Sequence, residues 1–256
     1  MKVVITRPPE QGIEFANLLK ENTNNNSNRN SNNDFEPILI PTLKLVFKDV
    51  SVDLDKYDWV VFTSPRGVLG LFNNLDKSDI NKIKNKKIGV IGIKTAKEFK
   101  RIFGRDVDVM PNEYTADYLL KVLKEHINKD EKILIPTTPS ARDILHKNLN
   151  ADIIYVYSSE EPNNLKDKLK ELKDIIIEEE KNNKKIILTF TSGLTAKNFF
   201  KNSDDELFNL LKNHYIVSIG PITNRIVEHY GFKGYIPNEY TVEGMIEVIK
   251  SLKNRH

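Results

Sequence analysis

The pentapeptide PNEYT stands at Pro111–Thr115 and is spelled again at Pro237–Thr241. Working outward from it, further matches follow in the same order. "FTSPRGVLGLF" (Phe62 to Phe72) parallels "FTSGLTAKNFF" (Phe190 to Phe200). "VIGIKTAKEFKRIFG" (Val90 to Gly104) parallels "SIGPITNRIVEHYG" (Ser218 to Gly231), and "VVITRPPEQGIEFANLL" (Val3 to Leu19) parallels "ILIPTTPSARDILHKNL" (Ile133 to Leu149) more loosely. Thr63 to Thr191 is a shift of 128 residues and Pro111 to Pro237 one of 126. The chain therefore consists of two tandem copies of one unit, each of small-domain size.

Each block has the same grammar: a short β-branched run, a turn, then apolar residues at helical spacing. "WVVFTS" is a continuous apolar run ending in hydroxyls, as expected of a parallel strand buried on both faces. "KKIGVIG" and "HYIVSIG" end in glycine, where a strand is expected to turn tightly into a helix. After PNEYT, Leu119, Leu120, Leu123 and Ile127 form one helical stripe, and Met245, Ile246, Ile249 and Leu252 form its counterpart. Thr115 and Thr241 then read as N-caps, with Asp117 and Glu243 complementing the helix dipole, and Thr195 reads as a cap as well. Strand–turn–helix units in series predict an α/β fold, with parallel sheets covered by helices on both faces. Ligands of such sheets bind at the carboxyl ends of the strands. The motifs TRPP, TSPRG, IGIKT and PNEYT all fall at that edge, and two such edges facing one another would make a cleft.

Composition narrows the chemistry. The 256 residues carry a net charge of +3 and no cysteine. Near-neutral charge gives no argument for a nucleic-acid partner. The lack of cysteine excludes disulfides, thiolate nucleophiles and sulfur-ligated zinc. No apolar run approaches the roughly 20 residues needed to span a bilayer, and Met1 leads into "KVVIT" without a secretory h-region. A soluble, cytoplasmic protein without a membrane partner, acting as a monomer, is the expectation. The tract "ENTNNNSNRNSNND" (Glu21 to Asp34) has no apolar residue and is expected to form a flexible loop.

Standard catalytic signatures are missing. There is no phosphate loop and no complete dinucleotide fingerprint. The five histidines are scattered, with none paired at metal spacing. Ser64 and Ser192 lack the nucleophile-elbow context. What recurs at the strand ends is hydroxyls, backbone amides and the basic residues Arg7, Arg66, Lys94, Arg142, Lys197 and Arg225. Any one of these is more readily a solvated surface charge. Together at one edge, beside helix N-termini, they suit a polyanionic small molecule.

The ordered set "VVITRP", "FTSPRGV", "VIGIKTA", "ILIPTTPSARDIL", "VYSSEEP", "FTSGLT", "IGPIT" and "PNEYTVEGMI" resembles the uroporphyrinogen-III synthase family over essentially the whole chain. The resemblance implies two flavodoxin-like α/β domains joined by a two-stranded connection. The first would be discontinuous, residues 1–36 and 163–256, and the second would span 37–162, with "PILIPTLKLVF" and "DIIYVYSSEEP" as the crossing strands. It implies cyclisation of the linear tetrapyrrole hydroxymethylbilane to uroporphyrinogen III, with inversion of ring D and loss of water, and no metal or organic cofactor.

Carried over residue by residue, Tyr157 in "VYSS" matches the family's cleft tyrosine, a candidate to hydrogen-bond or protonate the departing hydroxyl. Thr223 in "IGPIT" matches a threonine on the facing loop. Thr191, Ser192 and Gly193 match a turn that offers amides and hydroxyls to substrate carboxylates. Arg7, Thr63, Ser64, Arg66, Lys94, Thr95, Gly220 and Pro221 complete the candidate substrate contacts. The sequence departs from the family pattern where "VYSS" lacks a basic residue after the tyrosine and where the second "TRP"-like block reads "PTTP". From the residues alone, Tyr157 reads first as a strand aromatic packing on its neighbours. A non-catalytic two-domain protein that clamps a small polyanion also stays open.

Overall fold

The computed structural model describes residues 1–24 and 35–253. Two compact units divide the chain: Met1–Lys44 with Glu160–His256, and Leu45–Ser159. Each is a doubly wound α/β layer structure.

The sheet of the first unit holds β1 (Lys2–Ile5), β2 (Glu36–Leu39), β9 (Ile187–Phe190), β10 (Tyr215–Ser218) and β11 (Gly234–Tyr235), in the order β11-β10-β9-β1-β2. All its pairings are parallel. Both faces are covered, which is why the strands read as unbroken apolar runs. Val3 and Ile5 point into a cluster with Phe15 and Leu19 of α1 (Pro9–Asn24) and Met245, Ile246 and Ile249 of α11 (Val242–Lys253). Val4, Leu188 and Phe190 point the other way, against α7 (Leu165–Lys181), α8 (Gly193–Asn202) and α10 (Pro221–His229). Each such side chain, taken fully out of water, contributes about 1.5–3 kcal/mol before the entropy of ordering it.

The second sheet holds β4 (Trp59–Phe62), β5 (Lys87–Val90), β6 (Ile133–Thr137) and β7 (Ala151–Tyr155), in the order β5-β4-β6-β7. Val60, Phe62, Ile88 and Val90 pack on α2 (Pro65–Phe72) and α4 (Ile93–Phe103). Trp59, Val61, Ile133 and Ile135 pack on α5 (Ala116–His126) and α6 (Ile144–Asn148). In both sheets the winding reverses beside the unit's first strand, between β1 and β9 and between β4 and β6. These reversals are where an open α/β sheet offers a ligand crevice at its carboxyl edge.

The chain passes between units through β3 (Lys44–Phe47) and β8 (Tyr157–Glu160), which pair as a two-stranded sheet. Each expected crossing segment is thus two strands, its first half belonging to a main sheet and its second half to the connection. The boundaries move accordingly. Residues 37–44 stay with the first unit, because β2 pairs with β1 from Lys2↔Glu36 to Ile5↔Leu39, and the return crossing falls at Ser159 rather than after 162.

Three local expectations need correction. Glu21–Asn24 end helix α1 rather than begin a loop, and the rest of the Asn-rich tract lies outside the described residues. Thr195 is not an N-cap. Ser192 caps α8, and Thr195, three residues on, closes the capping box by accepting the Ser192 N–H. Finally, the turns after β5 and β10 do not themselves require glycine, since Gly92 and Gly220, the N-caps of α4 and α10, are extended, at φ −178° and −175°. A Cβ at Gly92 would lie 2.9 Å from the Tyr114 ring and one at Gly220 3.3 Å from the Tyr240 ring. The repeated pentapeptide therefore lays its tyrosine over the strand-end glycine in both units. Its threonine then caps the next helix, Thr115 accepting from Tyr118 and Thr241 from Gly244.

His214 makes the first unit sensitive to acid. Its ring is 1% exposed, and Nδ1 accepts the Ile186 N–H at 3.2 Å. Burial holds its pKa below the usual imidazole value, with the Glu180 carboxylate opposing. The folded state thus keeps the ring neutral, while the unfolded chain takes up a proton near pH ~6.5. The stabilisation is complete above that pH and is lost as pH falls through it toward the lowered folded value. The melting temperature should fall between about pH 7.5 and about pH 5.5. In His214→Asn, whose amide oxygen can still accept from Ile186, that fall should be shallower. An identical pH slope in the variant assigns the effect to other groups.

Candidate substrate site at the strand carboxyl ends

In the second unit the decisive contact lies where β4 runs into α2. Ser64 is the N-cap of α2, and its Oγ accepts the Gly67 N–H at 3.0 Å. The same Oγ stands 3.1 Å from the Tyr157 hydroxyl. Tyr157 opens β8 and is 7% exposed, its ring packed in the core cluster with Val68 and Leu71. The aromatic body is therefore a packing element, and the hydroxyl is the part delivered to the edge. Because Ser64 Oγ already accepts from Gly67, its own proton can be given to Tyr157. That leaves the phenol O–H free to donate to an outside acceptor.

Around this pair, Thr63 is half-buried at the end of β4, and Arg66 lies in the first turn of α2. Lys94 and Thr95 follow Gly92 in the first turn of α4, Lys94 exposed and Thr95 2% exposed with its N–H bonded to the Gly92 carbonyl. Lys94 supplies the charge there.

The first unit repeats the arrangement with different emphasis. Thr191 and Ser192 form the turn after β9, and Gly193 opens α8. Gly220 and Pro221 start α10, and Thr223, expected on a loop, sits in the first turn of that helix and is 4% exposed. It occupies the place that Thr95 takes in the second unit. Arg7 follows β1 and donates from Nη2 to Gln11 at 3.2 Å. Between β1 and β9 the hydroxyls are consumed internally: Thr6 Oγ1 donates to the Thr189 carbonyl and Thr189 Oγ1 to the Val4 carbonyl, each at 2.7 Å. Exposed apolar side chains flank both edges, Ile93 and Tyr114 in one unit and Leu194, Ile222 and Tyr240 in the other.

The model of the family described as Uroporphyrinogen-III synthase HemD matches residues 27–247. A protein of Methanocaldococcus jannaschii, provisionally named uroporphyrinogen-III synthase, is 56% identical over the full length of both chains. The chain belongs to the uroporphyrinogen-III synthase family. A similarly named protein of Methanothermobacter thermautotrophicus is 32% identical over 96% of each chain. The crystal structure of uroporphyrinogen-III synthetase from Helicobacter pylori covers 88% of this chain and 96% of its own, with a TM-score of 0.62 at 18% identity. That likeness establishes the shared fold.

For a member of the uroporphyrinogen-III synthase family, the distribution of side chains at the edges is informative. They carry hydroxyls, amides and cations. Among the described residues no cluster of three or more His, Cys, Asp or Glu could hold a metal ion, and no helix is long and apolar enough to cross a membrane. Sequence reasoning missed Thr137 and Thr138 at the end of β6, which line a cavity of about 200 Å³ together with Thr63. The signal was present as "PTTP", read only as a departure from the family pattern.

Proposed function

We infer that the chain catalyses the synthase reaction of its family, converting hydroxymethylbilane to uroporphyrinogen III. The observation that carries the assignment of roles is the Ser64–Tyr157 hydroxyl pair, 3.1 Å apart at the carboxyl edge of β4. As the hydroxymethyl C–O bond breaks, its electron pair leaves with oxygen, and a proton donated by the Tyr157 phenol carries it away as water. The methylene carbon so freed bonds to the substituted α-carbon of ring D. The bond from that carbon to its original bridge breaks and re-forms at the other α-carbon of ring D, and the proton released from that second carbon restores the balance. Thr223, with Thr191, Ser192, Gly193, Gly220 and Pro221, offers hydroxyls and amides to substrate carboxylates, while Arg7, Arg66 and Lys94 supply positive charge. Thr63, Ser64 and Thr95 complete the polar lining.

Hydroxymethylbilane closes without enzyme to the non-inverted isomer, so the protein must hold the chain in the geometry where the spiro-forming attack wins. The test is to supply enzymatically made hydroxymethylbilane and identify the uroporphyrinogen isomer formed. Isomer III in excess over isomer I is the expected result. Isomer I alone, at the spontaneous rate, leaves the protein a binder of polyanions.

A further inference from the structure

The two units differ at their winding reversals, and the difference traces to one proline. In the tandem repeat, Ile5, Thr6 and Arg7 correspond to Ile135, Pro136 and Thr137. β1 stays paired with β9 as far as Ile5↔Thr189, whereas β6 pairs with β4 only at Trp59↔Ile133 and Val60↔Leu134. Ile133 donates its N–H to Asn150, and the Thr137 carbonyl accepts from Val156. The odd-numbered residues of β6 therefore face β7, and Leu134 and Pro136 face β4. Pro136 has no N–H to give, so the ladder to β4 stops before it. In the first unit Thr6 stands in the place of Pro136 and its hydroxyl bonds across to the Thr189 carbonyl, while the Thr189 hydroxyl bonds back to the Val4 carbonyl. The counterpart of Thr189 is Val61, which cannot do so. Thr137, 3% exposed, is left with a buried hydroxyl that has no partner among the described residues. An orphaned buried hydroxyl is uncompensated until something supplies a hydrogen bond.

Thr63, Thr137, Thr138, Arg142, His146 and Tyr155 line the cavity of about 200 Å³ that results. Arg142 is exposed and makes no hydrogen bond or ion pair among the described residues. Asp143 also borders the cavity, but its carboxylate is held by Lys147 at 2.7 Å, and His146 Nδ1 is turned to the Ala151 carbonyl. Four hydroxyls and an uncommitted guanidinium thus remain for a ligand. The volume is below the ~300 Å³ lower bound of whole-ligand pockets, so it suits a substituent rather than a tetrapyrrole.

We propose that this cavity is a subsite for one carboxylate-bearing side chain, acetate or propionate, of the substrate. The reading rests on the synthase activity, and the experiment separates the two. Isotopically labelled full-length protein is titrated with sodium propionate as the probe, with sodium chloride at equal ionic strength as the control. Saturable shifts at the Thr138 and Ala141 amides and the Thr137 methyl are expected with propionate and not with chloride. Thr137→Val, which keeps the shape, and Arg142→Gln, at an exposed position, should each weaken propionate about 10-fold or more and raise KM for hydroxymethylbilane by a similar factor. Absent shifts, or shifts unchanged in both variants, overturn the subsite. A wild type that makes isomer III while both variants keep its KM overturns the subsite and leaves the synthase reading standing. Saturable propionate binding in a protein that makes no isomer III does the reverse.

Discussion

Tyr157→Phe should slow isomer III formation by on the order of 100-fold, the scale of a lost general acid. The fold should tolerate the change, because the ring stays in its cluster and only the bond to Ser64 Oγ is lost, a cost of about 0.5–1.5 kcal/mol. Ser64→Ala removes the helix cap as well, so it should cost more stability, about 1 kcal/mol for the cap alone, and less activity. Thr223→Ala should reduce the rate less than Tyr157→Phe, since water can replace one hydroxyl on a carboxylate. Rates of isomer III formation for the three variants, read beside their melting temperatures, settle the order. A Tyr157→Phe enzyme as fast as the wild type would make the tyrosine a packing residue only, with the proton coming from water or substrate.

Gly67→Ala should be among the most damaging single-methyl changes in the second unit. Its Cβ would lie 2.6 Å from the Pro136 carbonyl oxygen, a backbone atom that cannot rotate away. Either α2 lifts from β6 or the end of β6 moves, and overpacking of this kind costs about 1–3 kcal/mol. Because Ser64 caps the same helix and holds Tyr157, activity should fall together with stability. The matched control is Gly193→Ala at the start of α8. There the new Cβ meets only the Ile226 side-chain carbon Cγ1 at 3.3 Å, which a small rotamer adjustment relieves. The gain in helix propensity then makes that variant neutral or slightly more stable. Denaturation midpoints for the pair provide the check. Equal losses at Gly67 and Gly193 would mean that the approach of α2 to Pro136 does not constrain the unit.

The tandem repeat, the strand–turn–helix grammar and the α/β class were all legible in the residues, because they depend on periodicity and on groups near in sequence. The two apolar stripes after PNEYT lie where α5 and α11 bury Leu119, Leu123, Met245, Ile246, Ile249 and Leu252. The caps Thr115 and Thr241 act within a single turn, so their role could be read three residues away.

What the chain could not reveal by itself depends on neighbours distant in sequence. That Gly92 and Gly220 are needed beneath Tyr114 and Tyr240, rather than for a turn, follows from rings twenty or so residues downstream folding back onto the strand end. The partner of the Tyr157 hydroxyl is Ser64, 93 positions earlier, and no local pattern announces that pairing. Thr6 and Pro136 occupy equivalent places in the repeat, yet the Thr6 hydroxyl bonds across to β9 while beside Pro136 the Thr137 hydroxyl has no partner among the described residues. The difference lies in the adjacent strand, where Thr189 faces β1 and Val61 takes its place beside β6, and in a proline that ends the ladder between them. A residue's type and local spacing set which element it joins, but whether its polar group is satisfied or left for a ligand is set by the strand packed beside it.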